Sequence, residues 1–326
     1  MKANLSKPLF IILVGFLLAA PWFIYPIFLM KLLCFALFAT SFNLLLGYTG
    51  LLSFGHAAFL GGAGYVAGFL IRDQHLPPEI GIIGGTIFAA ALGLIMGALA
   101  IRRQGIYFSM ITLALAQMFY FICVQVPFTG GEDGFQGIPR TMMLGLLDLQ
   151  DDKTMYFVVL GLAVVALAFV ARVVASPYGK ILFAIKENEP RAISLGYKVD
   201  RFKLIAFVLS GALAGLAGSL QAVVMGFETL SDAHWTMSGL VILMCLVGGV
   251  GTLLGPILGA FVIVILENKV GDIGNLIFSW TNIEWFKTLG EAVTIVTGFI
   301  FVVCVLSFRK GIVGEFLDKF KSKNVV

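Results

Sequence analysis

The chain has 326 residues, of which 60% are hydrophobic and 12% charged, about half the roughly 25% charge usual in soluble domains. A single soluble core of this length could not bury so much apolar surface. The net charge is only +4, and no nucleic-acid partner is expected.

Uncharged runs of about 20 residues, enough to cross a bilayer, recur along the chain. They predict an all-α, polytopic integral membrane protein. A β-barrel would show alternating segments of about 10 residues, and none is present. The expected architecture is one transmembrane domain over 1–326, with about eight full spans plus a re-entrant or short helical hairpin, eight to ten transmembrane helices in all.

The N-terminus imitates a signal peptide, with Lys2, Lys7, an apolar run and small residues at Ala19 and Ala20. The run continues to Met30, longer than the roughly 7–15 residues of a signal h-region, so a retained first span is expected. Pro21 or Pro26 ends or kinks it. The further spans are placed at 32–52, 54–71, 80–101, 105–126, 154–172, 204–226, 236–266 and 288–308.

Between the second and third spans stands GYTGLLSFGHAAF, residues 47–59, inside a stretch without Asp, Glu, Lys or Arg from Leu32 to Ile71. Gly47, Gly50 and Gly55 suit a chain reversal. Ser53 is placed to cap the next helix, whose N-terminal dipole could face a permeation path. Polar groups expected at depth are Asn43, Ser53, His56, Thr112 and Gln117. Candidate path residues are Asn43, Ser53, Gly55, His56 and Gln117; the alternative is that they only bond neighbouring helices. His56 reads as a structural hydrogen-bonding group. No acid or base is expected at mid-depth, which argues against an ion-driven carrier.

The first tail, the 102–103 turn, the 172–203 loop and the tail at 309–326 together hold sixteen of the 22 basic residues and five of the 18 acidic ones. The positive-inside rule makes these segments, and both termini, cytoplasmic. The 127–153 loop, with Glu132, Asp133, Asp148, Asp151 and Asp152, is then outside. By parity 236–266 must start and finish outside. It is too long for one helix and turns at GGVGTLLGP (Gly248–Pro256), which predicts a hairpin in the interior of the assembly. Gly211, Gly215 and Gly218, and Gly64 with Gly68, have the spacing of close helix packing.

Catalytic motifs are absent. The Gly179–Lys180 pair lacks the first glycine and the final Ser or Thr of an ATP-binding loop, and Leu51 breaks the serine-nucleophile spacing around Ser53. Cys34, Cys123, Cys245 and Cys304 lie in apolar runs without a metal-binding spacing and read as buried small hydrophobes.

The loop 172–203 breaks at Ser176-Pro177-Tyr178-Gly179. An amphipathic piece with Ile181, Leu182 and Ile185 on one face follows. Asn188 then suits an N-cap, Pro190 a first turn and Gly196 a C-cap, giving a helix of about two turns. Such a helix either serves as the grip of a soluble motor subunit or lies on lipid headgroups.

The stretch SPYGKILFAIKENEPRAISLGYKVDRFKLIAFVLSGALAGLAGSL resembles the LivM-type permease of branched-chain amino-acid ABC importers. GYTGLLSFGHAAFLGGAGYVAG and LVGGVGTLLGPILGA resemble the same family, in the same order. The resemblance implies a multi-pass plasma-membrane (bacterial inner membrane) subunit that forms half of a pore for branched-chain amino acids. It implies no catalysis and no cofactor in this chain, with ATP bound by partners. Those partners are a second homologous permease, two cytoplasmic ATP-binding subunits, an extracytoplasmic substrate-binding protein and membrane lipid. Its coupling pattern Glu-x-x-Ala-x-x-Leu-Gly maps onto Glu189, Ala192, Leu195 and Gly196, in a segment with Glu187, Asn188 and Arg191; Pro190 falls inside it. Urea or short amides are alternative substrates. A stand-alone channel or ion-coupled transporter is the alternative of another class.

Overall fold

The computed structural model describes residues 17–281, together with Gly15, 298–299, 302 and 311–315. Most of the expected last span and of the C-terminal tail, Cys304 and the start of the first span lie outside the described residues.

Helix α1, Pro26–Thr49, starts with Pro26 in its first turn and ends at Gly50, whose φ of 76° makes a left-handed cap. It runs straight through the boundary expected at Lys31. The break falls earlier, at a short 3-10 turn, Ala20–Trp22, and Tyr25. Lys31 stays within the helix, its ammonium 5.9 Å from the centre of the Phe35 ring.

Then come α2 (His56–Arg72), α3 (Pro78–Ala100), α4 (Ile106–Gln125) and α5 (Asp152–Ala175). The connection 172–203 folds as α6 (Pro177–Glu187) and α7 (Glu189–Ser194), and α8 (Val199–Met225) follows. A four-residue turn of helix, α9 (Leu230–Ala233), leads to α10 (Trp235–Gly248) and α11 (Gly255–Thr281). The expected hairpin is thus present and turns at Gly249–Leu254, but its second arm runs on past 266. Two-residue strands pair antiparallel: β1 (Phe135–Gln136) with β4 (Phe227–Glu228), and β2 (Met142–Met143) with β3 (Leu147–Asp148).

Among the described residues five helices, α1, α3, α4, α5 and α8, are long and apolar enough to cross a membrane. This is an all-α polytopic fold. α1 and α8 form its buried centre. α3, α4 and α5 turn large apolar side chains outward, including Ile87, Met110, Phe121 and Val165, as lipid-facing helices do. Cys34, Cys123 and Cys245 are buried free thiols.

The glycine spacings mark close packing. A Cβ on Gly218 would strike the backbone of Leu60, and one on Gly215 the side chains of Ala89 and Ala63. Gly64 and Gly68 accept the Glu228 carboxylate and the Phe135 and Ile138 side chains. These contacts seat α2, α3 and α8 on one another.

Gly218→Ala is expected to lower the melting temperature in detergent, costing about 1–3 kcal/mol through overpacking. Gly161→Ala, where an added Cβ meets nothing within 4 Å, is expected to leave it unchanged or slightly raised.

A candidate translocation and coupling site

Helix α2 does not begin at the surface of the bundle. Its first residue bonds Ser210 and, farther along, the Ala63 carbonyl accepts from Ser219 Oγ. α2 and α8 therefore run parallel, and α2 starts about 16 Å along α8. The segment 51–55, expected as part of a chain reversal between two spans, lies inside, while Gly50 is exposed. Helix α10 runs the opposite way; its first residues, Trp235 and Thr236, are exposed, and its first turn reaches this level at Ser238. Ser238 Oγ accepts from Ala57 N–H (2.9 Å) and donates to the Phe54 carbonyl (2.8 Å). The N-terminus of α2, which carries partial positive charge, is thus held inside the bundle by the first turn of α10.

The polar chain between them is braced on all sides. Thr112 Oγ1 accepts from Phe54 N–H (3.1 Å), and Ser109 Oγ donates to the Leu52 carbonyl (2.7 Å). Ser53 is fully buried and accepts from Gly55 N–H (3.1 Å). It does not cap α2: the Ala57 N–H goes to Ser238, because the Ser53 hydroxyl closes a local two-residue turn instead. Gly55 has an ordinary φ of −82° and is small for contact, since a Cβ there would meet the Met96 methyl. Of the three glycines expected to reverse the chain, Gly50 alone uses a positive φ.

His56 is enclosed by Phe42, Phe59, Phe207 and Phe38, with ring centroids 4.9 to 6.5 Å away. Its Nε2 lies 2.8 Å from Ser210 Oγ, which gives its single proton to the Ser41 carbonyl at 2.6 Å. His56 must therefore donate from Nε2, leaving Nδ1 without a partner. Asn43, one residue past Phe42, donates to the Thr252 carbonyl and accepts from Gly251 N–H, both at 2.8 Å. It ties α1 to the α10–α11 turn. Gln117 stands apart on α4, half-buried, with its Oε1 unpartnered. The structure thus gathers Asn43, Ser53, Gly55 and His56 around the helix breaks and leaves Gln117 outside.

Beyond α8 the chain turns back into the bundle, carrying charge that the span assignment had placed outside. Glu228 is 1% exposed and lies against Gly64; Asp232 accepts from Thr229 and from Gln221 Nε2. Tyr65 Oη, Gln221 Oε1 and Glu228 Oε1 have no partner. Nearby, a cleft of about 340 Å³ is lined by Tyr120, Glu132, Leu230, Ser231, His234 and Thr236. It opens at the start of α10.

At the other end, Asn188 Oδ1 accepts from Arg191 N–H (3.0 Å), Pro190 sits in the first turn of α7, and Gly196 takes a φ of 86°. Ser176 caps α6. Of the seven coupling candidates, Ala192 is buried with Ile185 and Val199. Glu189 also turns inward. Its Oε1 accepts from Lys203 Nζ (2.6 Å) and Gln104 Nε2 (3.0 Å). Glu187, Asn188, Arg191, Leu195 and Gly196 are exposed. Leu195 and its neighbours Ile193, Tyr197 and Phe183 make an apolar outer edge.

Residues 24–305 match the family described as branched-chain amino acid transport system / permease component. The chain belongs to this family. The high-affinity branched-chain amino acid transport system permease protein LivM of Escherichia coli (strain K12) is 28% identical over 253 residues, 71% of this chain. That alignment covers 60% of the Escherichia coli protein. A LivM permease protein of Methanocaldococcus jannaschii is 27% identical over 73% of this chain and 79% of its own length. The L-arabinose ABC transporter permease protein AraH of Azospirillum brasilense is 30% identical over 68% of this chain and 63% of its own. No solved structure matches. The family is a transport permease component, not an enzyme, and it contains members named for other substrates.

Sequence reasoning missed Ser109, Ser210 and Ser238 in the permease. Lone serines in apolar helices carry no pattern. It also missed Lys186, Lys203 and Gln104, which read as ordinary loop charge and polarity, and the inward turn of Glu228 and Asp232.

Burial and the neighbouring Asp232 push the Glu228 carboxyl well above the usual carboxylate range. The folded state therefore favours its protonated form. That contribution is full below the unfolded pKa and is lost as the pH rises through the folded value. The melting temperature of the purified permease is expected to fall as the pH rises above the ordinary carboxylate range. Glu228→Gln is expected to flatten this slope and to raise stability at the alkaline end; Asp232, also raised by burial, leaves a residual slope.

Proposed function

We propose that this chain is the permease subunit of an ABC importer for branched-chain amino acids. The observation that carries the reading is the family match over residues 24–305, supported by two LivM relatives. The end bearing α6 and α7 faces the cytoplasm. A second homologous permease completes the pore, packing with membrane lipid around the exposed faces of α3, α4 and α5. Two ATP-binding subunits grip the α6–α7 connection at its apolar edge. Among the coupling candidates, Glu187, Asn188, Arg191, Leu195 and Gly196 meet them directly, while Glu189 and Ala192 seat the connection on α8.

An extracytoplasmic binding protein delivers the substrate to the opposite end, where the cleft beside His234 opens. The N-terminus of α2, beside the first turn of α10, gives a backbone-lined positive region for the substrate's carboxylate. In the described conformation that region is packed shut around Ser53, Gly55 and His56, and Asn43 holds the turn below it. Transport therefore requires α2 and α10 to separate there. The likeness to AraH favours a second reading, import of a sugar. Urea or a short amide remains a further substrate class to compare.

The test is uptake by proteoliposomes holding the chain with its second permease, ATPases and binding protein. ATP-dependent uptake of leucine, without uptake of arabinose or urea, is the expected result. Uptake of arabinose or urea in its place reassigns the substrate, and flux through this chain alone without ATP removes the ABC reading. Gly55→Leu, which drives a side chain into Met96, is expected to cut uptake about tenfold, a barrier of roughly 1.4 kcal/mol. Ser53→Ala leaves a buried N–H unpaired, worth about 1–3 kcal/mol, and is expected to reduce uptake while ATP binding survives.

A further inference from the structure

The α6–α7 connection rests on α8 through a small apolar seat. Ile185, Ala192 and Val199 pack together, and Tyr178 stacks on Phe202 at 5.8 Å. Two polar ties cross beside that seat. The first joins Glu189 Oε1 to Lys203 Nζ at 2.6 Å, with Gln104 Nε2 on the same oxygen. Lys203 is 3% exposed and Glu189 20%. Gln104 belongs to the turn between α3 and α4, so one carboxylate oxygen gathers α7, α8 and that turn. The second tie is Lys186 Nζ donating to the Gly47 carbonyl at 2.7 Å. It lies at the C-terminal end of α1, where a cation is favoured by the unpaired carbonyls, and beside Gly251 in the α10–α11 turn.

Each tie ends on a helix that braces a helix break a short distance farther along. On α8, Ser210 stands seven residues beyond Lys203, two turns up on the same face. It holds His56, the first residue of α2, and the Ser41 carbonyl. On α1, Asn43 stands one turn before Gly47 and holds both Gly251 and Thr252. The path from the connection to α2 is Glu189, Lys203, Ser210, His56. The path to the hairpin turn is Lys186, Gly47, Asn43, Gly251.

We infer that Glu189–Lys203 and Lys186–Gly47 are two struts that convert movement of the α6–α7 connection into movement of the two helix breaks. Glu189, Lys203 and Lys186 are positioning residues: they touch neither substrate nor nucleotide. The inference rests on the permease reading above. It differs from a general seat for the connection, because each strut addresses a separate break and each depends on charge or hydrogen bonding rather than on bulk.

The experiment uses the complete complex in proteoliposomes and reads leucine uptake and ATP hydrolysis together. Glu189→Lys and Lys203→Glu, singly, are expected to lower the uptake-to-hydrolysis ratio about fivefold, the scale on which coupling residues act, while hydrolysis and ATPase copurification persist. The swapped pair E189K/K203E is expected to recover most of the ratio. Lys186→Met is expected to lower the ratio and Lys186→Arg to keep it. Where a charge reversal prevents folding, Glu189→Gln and Lys203→Met replace it with the same expectation. A proportional loss of uptake and hydrolysis, an unchanged ratio, or a swap that recovers nothing overturns the strut while parental uptake remains normal. A parental complex that hydrolyses ATP without uptake overturns the permease reading and the strut with it.

Discussion

An α-helix that begins inside an apolar bundle brings its first N–H groups to a place where water does not bond them. In this permease α2 begins there, and the bundle is arranged around the need to satisfy them. Ser238 meets it with a single hydroxyl that takes an N–H from α2 and gives its proton to Phe54. Thr112 and Ser109 on α4 hold the peptide just before, and Ser53 closes its own turn. Three helices, α2, α4 and α10, are thereby fixed around one short non-helical segment. None of these groups is charged, so the junction is pinned by hydrogen bonds of modest individual weight, about 1 kcal/mol each. A junction held this way can be strong in sum and still come apart a bond at a time.

The tight fit of α2 against α3 and α8 follows from the same demand. A short helix starting at depth needs close neighbours on every side, and small residues provide them. Gly61 faces Ala233, Gly215 faces Ala89, and Gly218 lies on the Leu60 backbone. His56 fills the remaining space beside the break with an aromatic cage around it. Its one hydrogen bond runs through Ser210 to Ser41 and joins α8, α2 and α1 in a single layer. The layer gives the buried histidine a place as a hydrogen-bonding link between three helices.

Much of this was legible in the chain. Composition gave the class, the glycine spacings gave the packing faces, and Asn188, Pro190 and Gly196 gave α7 with its cap, first turn and left-handed end. GGVGTLLGP announced the hairpin turn. What escaped has physical causes. Hydropathy measures how apolar a segment is, not how deep it starts, so the polar run at 47–59 read as a turn between two spans although residues 51–55 form an interior break. Lys31 read as a boundary because charge usually marks one, yet its long stem lets the ammonium sit over Phe35 within a continuous helix. Glu228 and Asp232 read as outer-face charge because a re-entrant path leaves no mark on local sequence. Gln117 shared polarity and expected depth with Asn43 and His56, but neither property encodes which helix face meets which neighbour.

The placement of Glu189 also bears on how a coupling motif is read. An acid in a short capped helix proposed to meet an ATPase invites assignment to that partner, but this carboxylate points into its own chain and holds a lysine that is 3% exposed. Stability alone does not account for the pair, since an apolar pair of similar volume holds a connection equally well. The difference appears when the partners are pulled apart. An apolar contact slips at a cost proportional to area, whereas separating this pair strands a buried ammonium, at a cost of several kcal/mol. The connection and α8 are therefore held to move together, and the exposed edge at Ile193, Leu195 and Tyr197 is left free to bind something else.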